Sequence, residues 1–173
     1  MKKLIYVFTT VFTFAVTNLA TAQNTVVDIA AGNADFSTLV TAVKAADLAG
    51  VLSQTPDSGG WTVFAPTNAA FEKIDKTTLA SLLQPENKKA LANILTYHVI
   101  PSKLMASDVV AALKKNDGKI EVQAVNGEVL TVMSKDGKIW IKDAKGNYSE
   151  IVATDVNGSN GVIHVIDTVV MPK

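Results

Sequence analysis

The chain has no cysteine and no arginine, and only two histidines, two tryptophans and five prolines among its 173 residues. Without cysteine there is no thiol nucleophile, no thiolate metal ligand and no disulfide, so the fold must hold through its core alone. Without arginine there is no planar fork for bidentate recognition of phosphate or carboxylate, and every basic residue is a lysine acting as a point charge. His98 in LTYHVIP and His164 in NGVIHVID are too few for a zinc site, which takes about three or four protein ligands, and neither has the HExxH spacing. The GxSxG elbow and the Walker phosphate loop are also missing. The 16 acidic residues allow many carboxylate pairs, but spacing singles out none, so a hydrolase built on such a pair is the weakest of the functional readings.

What is present begins with an export signature. A basic MKK, the apolar run LIYVFTTVFTFAV and the small-residue end ATA read as a secretory signal over residues 1–22, cleaved near Ala22. The run is too short and too interrupted by threonine for a membrane span, which needs about 20 mostly apolar residues. The expected product is residues 23–173, one domain with a single core, with no transmembrane segment in the mature protein. Removing Lys2 and Lys3 leaves 14 lysines against 16 acids, a balance of −2, and this argues against a nucleic-acid partner, which would require a basic footprint.

The first half of the mature chain has helical periodicity. Phe36, Leu39, Val40 and Val43 form an amphipathic stripe, with Asn33 or Asp35 as its cap. Shorter helices are expected in TVVDIA, DLAGVLSQ, DKTTLASLL and SDVVAALKK, the last capped by Ser107. WTVFA reads as a strand leading into a helix capped by Thr67 or Asn68. In PENKKALANILTYH, Pro85 sits in the first turn, and Leu91, Ile94, Leu95 and His98 share one face. From residue 117 the texture changes. DG, NG, DG and KGN turns separate KIEVQAV, EVLTVM and KIWI, a series of antiparallel hairpins. GVIHVIDTVVM is apolar on both faces, as a central covered strand is. Helices followed by antiparallel strands imply an α+β domain, a β-sandwich or wedge with a helical layer, its helices mostly in the N-terminal half.

Three segments then line up in order: WTVFAPTNAAF at 61–71, LTYHVIP at 95–101 and NGVIHVIDTVVMP at 160–172. Together they resemble the fasciclin-like domain family, whose signatures are a strand running into FAPTNxAF, a Tyr-His pair, and NGxIHxID. The resemblance spans essentially the whole mature chain. It implies a compact α+β fold in exported proteins of cell adhesion or matrix contact, a family not known chiefly for catalysis, and no cofactor is expected. It also implies candidate partner contacts at Tyr97 and His98, and at Asp155 with Val156, where animal members have an Asp-Ile pair.

The residues themselves favour structural roles for Thr67 and Asn68 as helix caps, for His164 as a neutral, hydrogen-bonded imidazole in the core, and for Asp167 as a hydrogen-bond acceptor. The resulting expectation is a secreted, non-enzymatic, monomeric adhesion or matrix and biofilm interaction domain, periplasmic or extracellular, whose partner is a cell-surface or matrix protein or glycan. The alternative is a soluble binder of a small apolar ligand, held in a cleft between the helices and the sheet.

Overall fold

A computed structural model describes residues 24–173; the expected signal segment and its cleavage point lie outside the described residues. Helix α1 (Val26–Ala31) starts at Thr25, whose hydroxyl accepts the Asp28 N–H while the Asp28 carboxylate accepts the Thr25 N–H, a reciprocal capping box. Asn33 caps a 3-10 turn (Ala34–Phe36) that runs directly into α2 (Ser37–Ala45). The short α3 (Ala49–Leu52) follows, and strand β1 (Trp61–Pro66) then enters the interior. Helices α4 (Asn68–Glu72), α5 (Lys76–Leu82) and α6 (Lys88–Tyr97) complete the helical layer, with Pro85 in a 3-10 turn that leads into α6. Two-residue β2 (Val99–Ile100) and α7 (Ala106–Lys115) separate this layer from the remaining strands.

Those strands are β3 (Lys119–Gln123), β4 (Val129–Lys135), β5 (Lys138–Lys142), β6 (Tyr148–Gly158) and β7 (Gly161–Ile166). The seven strands form one sheet in the order β2, β1, β7, β6, β5, β4, β3. From β3 to β7 every pairing is antiparallel and joins sequence neighbours. The last strand, however, lies parallel to β1, from Trp61 opposite Gly161 to Pro66 opposite Ile166. This departs from the all-antiparallel reading, because a parallel partner 100 residues away leaves no turn signal.

Strand β6, the longest, is also absent from the sequence reading. Its register with β7 shifts twice, between Ile151 and Ala153 and between Ala153 and Val156. Each irregularity breaks the alternation by which a half-buried strand is recognised and bends the strand, letting the sheet fold over.

Strand β7 is covered on both faces. Ile163 and Val165 meet a core built with Val26, Phe36, Leu39, Val43, Leu91 and Leu95. On the other face Ile166 joins Phe64, Tyr97, Ile100, Leu130, Ile141 and Val170. Helix α7 closes the far side of the folded sheet through Val109 and Leu113 against Val132. Ser107 is not the cap of α7. The helix begins one residue earlier, where the Asp155 carboxylate accepts the Ala106 N–H at 2.8 Å and that of Asp108 accepts the Met105 N–H at 3.1 Å.

The start of β7 tolerates no side chain. A Cβ on Gly161 would lie 2.4 Å from the Trp61 carbonyl oxygen and 2.9 Å from its nitrogen, both backbone atoms that cannot swing aside. Gly161→Ala is therefore expected to destabilise the protein by roughly 1–3 kcal/mol or more through forced separation of β1 and β7. Gly50→Ala, inside α3 with nothing within 4 Å, should be neutral or stabilising by up to about 1 kcal/mol. Urea unfolding midpoints of the two variants test the contrast, and equal midpoints would contradict it.

Candidate functional site

The three signature segments converge on the β1–β7 pair, where their polar side chains mostly bond backbone groups outside the signatures, and His98 accepts the Val170 N–H of the last one. Asn160 is 3% exposed. Its amide donates to the carbonyls of Leu52 (2.7 Å) and Gln54 (2.9 Å), its side-chain oxygen accepts the Val26 N–H (2.9 Å), and its own carbonyl accepts the Trp61 N–H (2.9 Å). One residue thus joins the start of α1 and the end of α3 through its side chain, and the entry to β1 through its carbonyl. The sequence reading passed over Asn160, since an Asn-Gly pair reads as a turn and its distant partners leave no local trace.

His164 is fully buried, its ring centroid 5.9 Å from that of Phe64 on the adjacent strand. Its Nε2 lies 2.8 Å from the Leu104 carbonyl, and its Nδ1 accepts the Asp155 N–H at 3.4 Å. Both contacts are met by the neutral tautomer carrying its proton on Nε2. Thr62, also buried, donates its hydroxyl to the Ser102 carbonyl at 2.6 Å and accepts the Leu104 N–H at 2.8 Å. Two interior polar side chains therefore strap down the segment leading into α7.

Asp167 accepts the Glu150 N–H (2.8 Å) and the Thr168 hydroxyl (3.0 Å) on one oxygen, and the Lys73 ammonium (3.1 Å) on the other. Burial alone would raise its pKa. The Glu150 N–H, the Lys73 and Thr168 hydrogen bonds and the Lys73 charge outweigh this and hold the carboxyl below the usual range. Thr67 caps α4 through the Ala70 N–H. Asn68 caps a different helix: its side-chain oxygen accepts the Thr38 N–H of α2 at 3.0 Å, while its amide donates to the Ala34 carbonyl.

Of the candidate contacts, Tyr97 and His98 are inside, 0% and 2% exposed. The Tyr97 hydroxyl donates to the Val129 carbonyl (3.1 Å) and accepts the Ala144 N–H (3.0 Å). His98 donates from Nδ1 to the Ile94 carbonyl (2.8 Å) and accepts the Val170 N–H on Nε2 (3.2 Å). In this conformation neither side chain reaches a partner, because two apolar cores and four hydrogen bonds hold them in place. This corrects the surface-contact expectation for both residues. Asp155 and Val156 are half-buried. Asp155 has a left-handed backbone (φ 59°) and a carboxylate engaged with α7, and Val156 pairs with Ile163 in the sheet.

Among the described residues, no three acidic or histidine side chains come together as a metal site would need. The helical face does hold an apolar cleft. Val26, Ala30, Leu39, Val43, Leu52 and Val63 line a void of about 60 Å3. It is partly open to solvent, and Val63 is half-exposed although its strand is interior and its neighbours Thr62 and Phe64 are buried.

Burial, opposed by the Ile94 hydrogen bond and the Asp143 charge, pushes His98 down to about 4. An unfolded histidine titrates near 6.5. Stability carried by the neutral ring is therefore complete above about pH 6.5 and is lost as pH falls to 4, by roughly 3 kcal/mol in all. Chemical denaturation at intervals from pH 7 to 4 should show this slope in the wild type and a flatter one in His98→Gln. Parallel slopes would contradict the assignment.

The fasciclin domain model matches residues 34–172. The chain is 50% identical to protein sll1483 of Synechocystis over 148 residues, 86% of this chain and 73% of that protein. It is 32% identical to the immunogenic protein MPB70 of Mycobacterium bovis, covering 87% and 70% of the two chains. It is also 34% identical to the pig transforming growth factor-beta-induced protein ig-h3, covering 89% of this chain and 20% of that one. The FAS1 domain pair of the insect cell adhesion molecule fasciclin I superposes with a TM-score of 0.72 at 19% identity, over 84% of this chain and half of that one. The chain belongs to the fasciclin domain family.

Proposed function

We propose that this protein is a secreted, non-enzymatic interaction domain that mediates adhesion to a protein or glycan of the cell surface, matrix or biofilm. The observation that carries this reading is that the interior polar groups of the signatures are used up inside the fold. No buried side-chain nitrogen or oxygen among the described residues lacks a hydrogen-bond partner, so the signatures build a scaffold and leave recognition to the surface. Adhesion-type relatives, including the insect cell adhesion molecule, support the same reading. No helix among the described residues is long and apolar enough to cross a membrane. The protein acts as one domain, monomeric, and exported after cleavage near Ala22.

Beads coated with the purified protein are expected to adhere to cells or matrix of the source organism more strongly than uncoated beads or beads carrying heat-denatured protein. Adhesion equal to these controls would overturn the proposal.

The apolar cleft favours a second reading, a binder of a small apolar ligand. At about 60 Å3 the void is well under the roughly 150 Å3 that admits benzene, so adhesion remains the leading function. A co-purifying small molecule detected by native mass spectrometry would raise the second reading above it, and spectra of the bare chain alone would remove that support.

A further inference from the structure

Among the described residues, the rim of the apolar cleft carries a single charged group, Lys44, near the end of α2. Lys44 is exposed and makes no ion pair among the described residues, while its neighbour Asp47 is occupied by Lys88 at 3.5 Å. The only other ionisable side chain lining the cleft among the described residues is His98, which is neutral and has both ring nitrogens hydrogen-bonded. The remaining walls are aliphatic. Four of the positions are alanines, and the short side chains of the three on the helices, Ala30, Ala31 and Ala49, leave the helical layer open over Val63.

We propose that this cleft binds an amphipathic monoanion, a linear aliphatic carboxylate whose chain enters between α1, α2 and α3 and whose head group meets Lys44. This rests on the small-ligand reading above and adds to it the chemical class of the ligand. The charge pattern, one cation at the mouth and apolar walls below, complements an anionic head on an apolar tail. The void of about 60 Å3 is smaller than the roughly 150 Å3 that holds benzene, so the end of a polymethylene chain fills it while the rest of the chain lies along the open side. The carboxylate stays at the rim, partly hydrated, so the charge is not forced into the interior at a cost that a single lysine would not offset.

Calorimetric titration of the purified protein with hexanoate, octanoate and decanoate, kept below micelle formation, tests this. Affinity should rise about fourfold per added methylene until the cleft is filled. Lys44→Glu, on an exposed position, should weaken octanoate at least tenfold and leave 1-octanol unchanged. Ala49→Leu, which narrows the cleft from its half-exposed wall, should weaken both. If octanoate and octanol bind alike, or if Lys44→Glu has no effect on octanoate, the anionic class is overturned while the apolar-ligand reading survives. If neither binds, both fall, and the bead assay decides adhesion separately.

Discussion

The structure depends on the parallel seating of β7 against β1. Gly161 lets the two backbones approach at their first residue pair, and Asn160 immediately before it ties that point to α1 and α3. Everything on the helical side packs on one face of these strands, and the folded sheet with α7 packs on the other. A central strand between two cores must be apolar on both faces, so any polar group it carries has to be satisfied by the backbone around it. His164 and Asp167 meet that requirement by reaching the segment before α7 and the backbone of β6.

The long signature NGVIHVID is therefore a list of structural tasks. The Asn160 side chain bonds three distant backbone groups, Gly161 clears the way for Trp61, Ile163 and Ile166 fill opposite cores, His164 holds a strap and Asp167 holds the preceding strand, β6. Tyr97 and His98 extend the same logic to the end of α6, where they fix β4, the turn after β5 and the C-terminal tail. These groups are consumed internally, which leaves the surface and the rim of the cleft as the places where unengaged side chains are found.

How much of this could be read beforehand follows the range of the interactions. Local signals were clear: the Phe36, Leu39, Val43 stripe, the turn-punctuated hairpins after residue 117, the apolar last strand and the burial of His98 on the α6 stripe all rest on neighbours within a few residues. Asn68 was legible as a cap, but the helix it caps lies 30 residues earlier, and the acceptor that starts α7 comes from Asp155, 49 residues later. Strand β6 was hidden because its bulges erase the period of two. The cleft was illegible for a different reason. It is made by what alanines leave unfilled, and a pattern of apolar positions does not distinguish a filled wall from an open one.

The placement of β7 also bears on how the chain acquires its fold. Its two neighbours in the sheet are β6, joined through a short turn, and β1, 100 positions away at the paired ends, and neither core can close before that distant pairing forms. Closing so long a loop is entropically costly and slow compared with local helix formation. A chain emerging N-terminus first would carry formed or fraying helices with their apolar faces uncovered until the final segment arrived. Completion of the two cores is then late, waiting on the C-terminal strand.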